Sequence, residues 1–291
     1  MIKSMTGYGI ASNDYANAKY TVEIKSLNSK FLELALKLPK AFSDKELILR
    51  NDCSKQIERG KVNITFTIEY ADNEKKTASI DKELLTLYYQ QLKASADELN
   101  DKGNNLLELA LNFPEVIKYD EDIVTEEEWQ QLYLTFSQAM LSFQTFRLDE
   151  GGVLQKDLML RIRNILESLQ LVEEQDPKRI PVIKERLLQL LADYVGKENT
   201  DQNRLEQELV FYIDKLDITE EKIRLKSHCD YFLDALNSSD ANGKKLGFIS
   251  QEIGREINTM GSKANDAQIQ QIVVRMKEEL EKIKEQLLNV L

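Results

Sequence analysis

The chain of 291 residues has a single histidine, His228, and two cysteines, Cys53 and Cys229, with only four prolines and one tryptophan. One histidine excludes chemistry that needs a histidine pair as acid and base, and any metal site built from two or more histidines of one chain. The cysteines lie far apart and form no CxxC spacing, so neither a disulfide framework nor a zinc cluster is indicated and reduced thiols are expected. A metal would therefore rest on carboxylates, whose hard oxygens favour magnesium or manganese over zinc. No run approaches the roughly 20 apolar residues that span a bilayer. The opening MIKSMTGYG also lacks the apolar stretch of a signal peptide, so a cytoplasmic protein without membrane contact is expected.

Acid outweighs base, for a net charge of −11, which argues against a nucleic-acid partner until the distribution is considered. Residues 1–70 hold 11 Lys and Arg against 8 Asp and Glu, and residues 240–291 hold 8 of each. The middle, 71–239, holds 20 against 34 and includes YDEDIVTEEE at 119–128. Acidity is thus concentrated between two neutral or mildly basic ends.

With 42% hydrophobic and 31% charged residues, the composition suits a helix-rich globular protein rather than a disordered one. Alternating or β-branched segments predict strands at 2–10, 19–26, 31–37 and 62–70, with one amphipathic helix at 44–58. Gly60 supplies the positive φ for the turn between that helix and the last strand. Beyond 71 the pattern turns helical, starting near Asp81 and interrupted by DKGNN at 101–105 and by Pro114. A long helix is predicted over 125–175, with Gly151 and Gly152 as a break or a tight packing point. Asp176 and Pro177 mark a loop, and further helices follow at 179–196, 201–236, 244–261 and 266–290. The last shows a packed seam of Ile269, Ile272, Met276, Leu280, Ile283 and Leu287. The fold class is α+β: a small N-terminal sheet domain with one packed helix at 1–70, a helical middle at 71–200, and a helical domain at 201–291 ending in a hairpin.

The densest chemistry lies in GKKLGFISQEIGREINTMGSKAND at 243–266. Leu246, Ile249, Ile253, Ile257 and Met260 form an apolar stripe, which leaves Gln251, Glu252, Arg255, Glu256, Thr259 and Lys263 on other faces. Glu252 and Glu256, four apart, repel unless a cation, either a metal or Arg255, sits between them. Gly247, Gly254 and Gly261 recur every seven residues, which suits close approach of a neighbour or marks a weakened helix; Gly261 also suits a helix end, with Asn265 or Asp266 capping the next. On the preceding helix Glu220, Arg224 and His228 share a face, flanked by Asp217 and Glu221. The sheet unit gathers Lys3, Lys25, Lys30, Arg59 and Lys61 with Asn28 and Ser29. Tyr8, Tyr20 and Phe31 offer stacking surfaces there, although sheet packing is the expectation for Phe31.

That segment, with MIKSMTGYG, SLNSKFLEL, RGKV, EGGVL, NRLEQEL, RLKSH and the closing EQLLNVL, resembles the YicC-like family along the whole chain. The resemblance implies a metal-dependent endoribonuclease that assembles as a ring-like homohexamer clamping on single-stranded or structured RNA. Residue type and spacing then nominate His228, Glu252, Glu256 and Arg255 as catalytic. Glu252, Glu256, Glu220 and Glu221 are the nominees for holding Mn2+ or Mg2+, and Lys3, Lys25, Asn28, Lys30, Arg59, Lys61 and Lys263 for RNA. The motif residues Arg147, Glu150 and Gly151 receive no role from sequence. The alternative is a non-catalytic RNA-binding adaptor that recruits other RNA-decay proteins.

Overall fold

The computed structural model describes residues 2–70, 78–100, 102–119, 124–194, 202–238 and 243–291. Four strands, β1 (Gly7–Tyr15), β2 (Ala18–Leu27), β3 (Leu32–Lys37) and β4 (Gly60–Tyr70), form one sheet in the order β1-β2-β4-β3. Only β3 runs parallel to its neighbour β4. Alternation decides the faces: Tyr20, Val22, Ile24, Val62, Ile64 and Phe66 point into the core, while Lys25, Lys61 and Asn63 stand on the open side. Gly60 has φ of 125°, as expected of the turn into β4.

The first strand begins later than predicted. Residues 2–6 stay out of the sheet, with Ser4 bridged instead to Val290, and β1 continues to Tyr15, paired with β2 as a hairpin. The polar pair Asn13 and Asp14 hides this extension in the sequence.

Two helices, rather than one, cover the sheet. Helix α1 (Glu46–Gln56) inserts Leu49 and Cys53. The first half of α4 (Glu126–Tyr194) inserts Leu132, Phe136, Ala139, Met140 and Phe143. Gly9 permits that approach, since a Cβ there would collide with the Ala139 carbonyl and with Phe143. The second half of α4 turns Leu158, Ile162, Ile165, Leu169 and Val172 into a separate core, shared with α6 (Thr219–Asn237), α7 (Gly243–Ala264) and α8 (Ala267–Leu287). One helix thus runs through both cores. Between them in sequence lie β5 (Ala78–Ile80), α2 (Lys82–Glu98), α3 (Leu106–Leu111) and β6 (Ile117–Tyr119), and α5 (Gln202–Leu216) precedes α6. The expected boundaries near 71 and 200, part of the acidic stretch (120–123) and the end of the helix expected at 179–196 lie outside the described residues.

Three helix boundaries differ from the sequence reading. Helix α4 continues through Pro177 and Pro181, where a break is expected. A buried network compensates: Arg179, 3% exposed, donates to Asp176 at 2.6 Å and to the carbonyls of Ala264 and Leu216, and Lys222 reaches Asp176 at 2.6 Å. Burial opposes the Asp176 charge, but hydrogen bonds from Lys222 and Arg179 prevail and hold its carboxyl below the ordinary range. The helix expected over 201–236 breaks at 217–218, because the Asp217 side chain accepts from the Thr219 amide and hydroxyl. Helix α7 passes Gly261 and ends at Ala264, followed by Asn265 in the left-handed region and by Asp266 as the α8 cap. Gly254 and Gly261 do allow close approach, since a Cβ there would meet Leu280 and Val273 at 3.0 Å, whereas a Cβ at Gly247 would meet nothing within 4 Å.

Residues 2–6 thread between α4 and residues 289–291. Ser4 N donates to the Arg147 carbonyl, Met5 N to Asn289, and Leu291 N to Lys3. Arg147, 4% exposed, returns its Nε to the Ser4 carbonyl at 2.7 Å, and Thr6 donates to Glu150 at 2.7 Å. Gly151 lies directly under the Ile2 carbonyl, with no room for a Cβ. These contacts supply the role that sequence left unassigned for Arg147, Glu150 and Gly151. Adjacent glycines should consequently respond in opposite ways. Gly151→Ala should cost about 1–3 kcal/mol through overpacking. Gly152→Ala, with nothing within 4 Å of its Cβ, should stabilise by up to about 1 kcal/mol through helix propensity. Thermal melts of the two variants check this, and equal shifts would contradict the threading.

Candidate functional site

Helices α6 and α7 form an antiparallel hairpin, because Glu221 at the start of α6 touches Lys263 at the end of α7. The expected stripe of Leu246, Ile249, Ile253, Ile257 and Met260 is buried in full and meets Leu225, Cys229 and Phe232. Burial pushes both thiols, Cys53 and Cys229, up to about 12, which leaves them inert packing groups.

The polar residues of this hairpin divide into tied and untied groups. Arg224 pairs with Glu220 on the exposed surface, where such pairs contribute little. Lys263 donates to Glu221 Oε1 at 2.8 Å, and that hydrogen bond raises the ammonium above its ordinary value. Lys263 is thus paired with Glu221 in this structure. Glu221 is 4% exposed, and its Oε2 is buried with no hydrogen-bond partner among the described residues. Asp217 serves as a turn acceptor for Thr219.

Glu256 departs from the sequence reading, which puts it off the buried stripe. It is 5% exposed, at the edge of the stripe where α6 packs, and has no hydrogen bond or ion pair with any described residue. Glu252 and Arg255 remain exposed, and their 3.9 Å separation leaves the guanidinium loosely held. His228 lies seven residues beyond Glu221, and Glu256 seven before Lys263, so the antiparallel register sets the half-buried histidine level with that carboxylate. The four nominated carboxylates do not converge: among the described residues no three His, Cys, Asp or Glu gather as a metal cluster.

The basic nominees occupy a second region. Lys25 stands on the open sheet face, paired with Glu23 at 2.7 Å and lying over the Tyr8 ring, and Lys61 is a diagonal neighbour on β4. Asn28, Lys30 and Arg59 border one cleft at the start of α7, and Arg59 is anchored to the Val290 carbonyl at 2.7 Å. Lys3 lies beside residue 291 with its side chain exposed. Tyr20 belongs to the core and offers no stacking surface. Phe31, expected to pack, is 69% exposed, because it precedes β3 and projects beyond the sheet, with Lys30 over its ring.

The Glu256 oxygens are not among the buried side-chain atoms that lack a partner, so they reach solvent, and Glu256→Gln should leave the melting midpoint in EDTA unchanged to within about two degrees. A lower midpoint would show that the carboxylate has a stabilising partner.

Comparison with known proteins matches two family models to almost the whole chain: the N-terminal region of endoribonuclease YicC-like proteins over residues 2–156, and their C-terminal part over residues 172–291. Two curated relatives, from Clostridioides difficile and Haemophilus influenzae, each named "Probable endoribonuclease YicC", are 30% identical over 292 residues. Both alignments cover all of this chain and all of the relative.

Proposed function

This chain belongs to the YicC-like family, and we propose that it is a cytoplasmic, divalent-metal-dependent endoribonuclease that cuts RNA within a homohexameric ring. The observation that carries the catalytic half is the place of Glu256: it is 5% exposed, is held by no hydrogen bond or ion pair among the described residues, and lies level with His228 and one residue from a loosely held arginine.

The carboxylate set fits one kind of metal. Mg2+ or Mn2+ bound by one or two carboxylates keeps several waters and takes further contacts from substrate phosphate, whereas a site closed by three or four side chains finds no support among the described residues. Glu252 and Glu256 would hold the ion, which when bound supplies positive charge to the non-bridging phosphate oxygens. Glu220 and Glu221, tied to Arg224 and Lys263, are demoted from that role. Arg255 can bind a phosphate through paired N–H groups. His228 is placed to carry a proton to or from a reacting oxygen, and the nucleophile is water or the ribose 2′-hydroxyl. End groups of the cleaved RNA distinguish the two.

Assembly is supported by surface chemistry. Phe248, Ile223 and Val274 are each more than half exposed on the helical unit, in keeping with faces that another copy covers. A ring would also gather several mildly basic sheet units around one strand and repeat weak phosphate contacts. The second reading, a non-catalytic RNA adaptor, draws on the missing three-ligand cluster among the described residues.

Purified protein should cut RNA with Mn2+ or Mg2+ and stop in EDTA, whereas an adaptor would bind without cutting. Glu252→Gln and Glu256→Gln should each abolish cleavage while RNA binding persists, and His228→Ala should slow it by roughly 10² to 10⁴. Full activity in both glutamate variants would remove this hairpin from the chemistry.

A further inference from the structure

Where α7 begins, an open cleft of about 560 Å3 separates the sheet unit from the helical bundle. Asn28, Ser29, Lys30 and Arg59 line one side, and Lys244 and Leu288 lie across from them. Three cations share the cleft, and among the described residues no carboxylate lines it. Glu33, which accepts the Ser29 hydroxyl at 2.9 Å, lies outside the lining.

Each cation is held differently. Arg59 uses one N–H of Nη2 on the Val290 carbonyl, so its guanidinium is fixed while its other donors stay available. Lys30 rests over the Phe31 ring at 5.5 Å. Lys244, on the exposed face of the first turn of α7, has no partner among the described residues. Three like charges lining one cleft, with no carboxylate among its described lining residues, repel one another, and a bound anion relieves that repulsion.

We propose that this cleft binds a phosphoryl group of RNA, with Lys30, Arg59 and Lys244 on its oxygens and Leu288 against the adjoining sugar or base. The proposal rests on the RNA reading above and adds Lys244, a residue that type and spacing alone leave without a role. It also sets a path. Lys244 and Arg255 are eleven residues apart on one exposed α7 face, about 16 Å at 1.5 Å per residue, so a strand held in the cleft is led toward Glu256. The phosphoryl group could be a phosphodiester within the strand or a 5′-terminal monophosphate.

The test uses the full-length protein in EDTA and a 3′-labelled oligouridylate bearing either a 5′-phosphate or a 5′-hydroxyl, with affinity measured against salt. The double variant Lys30→Ala, Lys244→Ala should bind roughly ten-fold more weakly or worse, with a log–log salt slope shallower by about 0.7 for each phosphate that is no longer neutralised. Lys30→Arg, Lys244→Arg should restore binding, which separates missing charge from misfolding. A wild-type preference for the 5′-phosphate that the alanine variant loses identifies a terminal phosphate, and equal weakening on both probes identifies a phosphodiester. Alanine variants that bind both probes with wild-type affinity and slope overturn the proposal. If the wild type still cuts RNA with Mn2+ in that case, the nuclease reading survives alone. Weakened binding together with a wild type that never cuts leaves the cleft standing and removes the nuclease.

Discussion

Everything in this fold is registered by five residues, 2–6, held between the middle of α4 and residues 289–291. Their backbone is bonded on both sides, to Arg147 across from one helix and to Asn289 and Leu291 beyond another. Buried amides and carbonyls must be paired, so this segment can sit in one place only. Arg147 is the central group. Its guanidinium is almost wholly buried, bonds the Ser4 carbonyl through Nε and leaves Nη2 without a partner among the described residues. Burial lowers its affinity for a proton, and nearby Glu58 works in the opposite direction.

From that seam the geometry of the functional surface follows. Helix α4 carries the sheet on its first half and the bundle on its second, so the two units are joined by a continuous rod as well as by the threaded segment. The start of α7 is pinned there too: Gly243 donates to the Leu291 carbonyl and lies so close to Val290 that a Cβ would not fit. Val290 in turn anchors Arg59 from the sheet unit. Cations from one unit and the α7 helix of the other are thereby fixed in relation, and α7 leads from the cleft to Glu252, Arg255 and Glu256.

Much of this was legible in the sequence because burial imposes a period. VNITFTIEY alternates, and its Val62, Ile64 and Phe66 are buried; the α7 stripe and most of the α8 seam follow the helical period equally well. Less legible were features decided by tertiary contacts. Proline at 177 reads as a stop, yet the Asp176, Arg179 and Lys222 network carries α4 past it. Glu256 looks solvated by type, and only the seating of α6 against the edge of the stripe buries it. In the site, residue types pointed to His228 and Glu256, whose level positions come from the hairpin register, but the pairing of Glu221 with Lys263 is not apparent from sequence. Gly7 and Gly9 of the opening motif serve helix docking, which becomes apparent once Phe143 and Ala139 are seen against them.

Native-state hydrogen exchange tests the threading most directly. The amides of Ser4, Met5, Gly243 and Leu291 should exchange as slowly as those in the centres of β2 and α7, since releasing them requires parting the sheet unit from the bundle. Rapid exchange at these four positions, with β2 and α7 still protected, would show that the two units hold together without the threaded segment and would contradict this account.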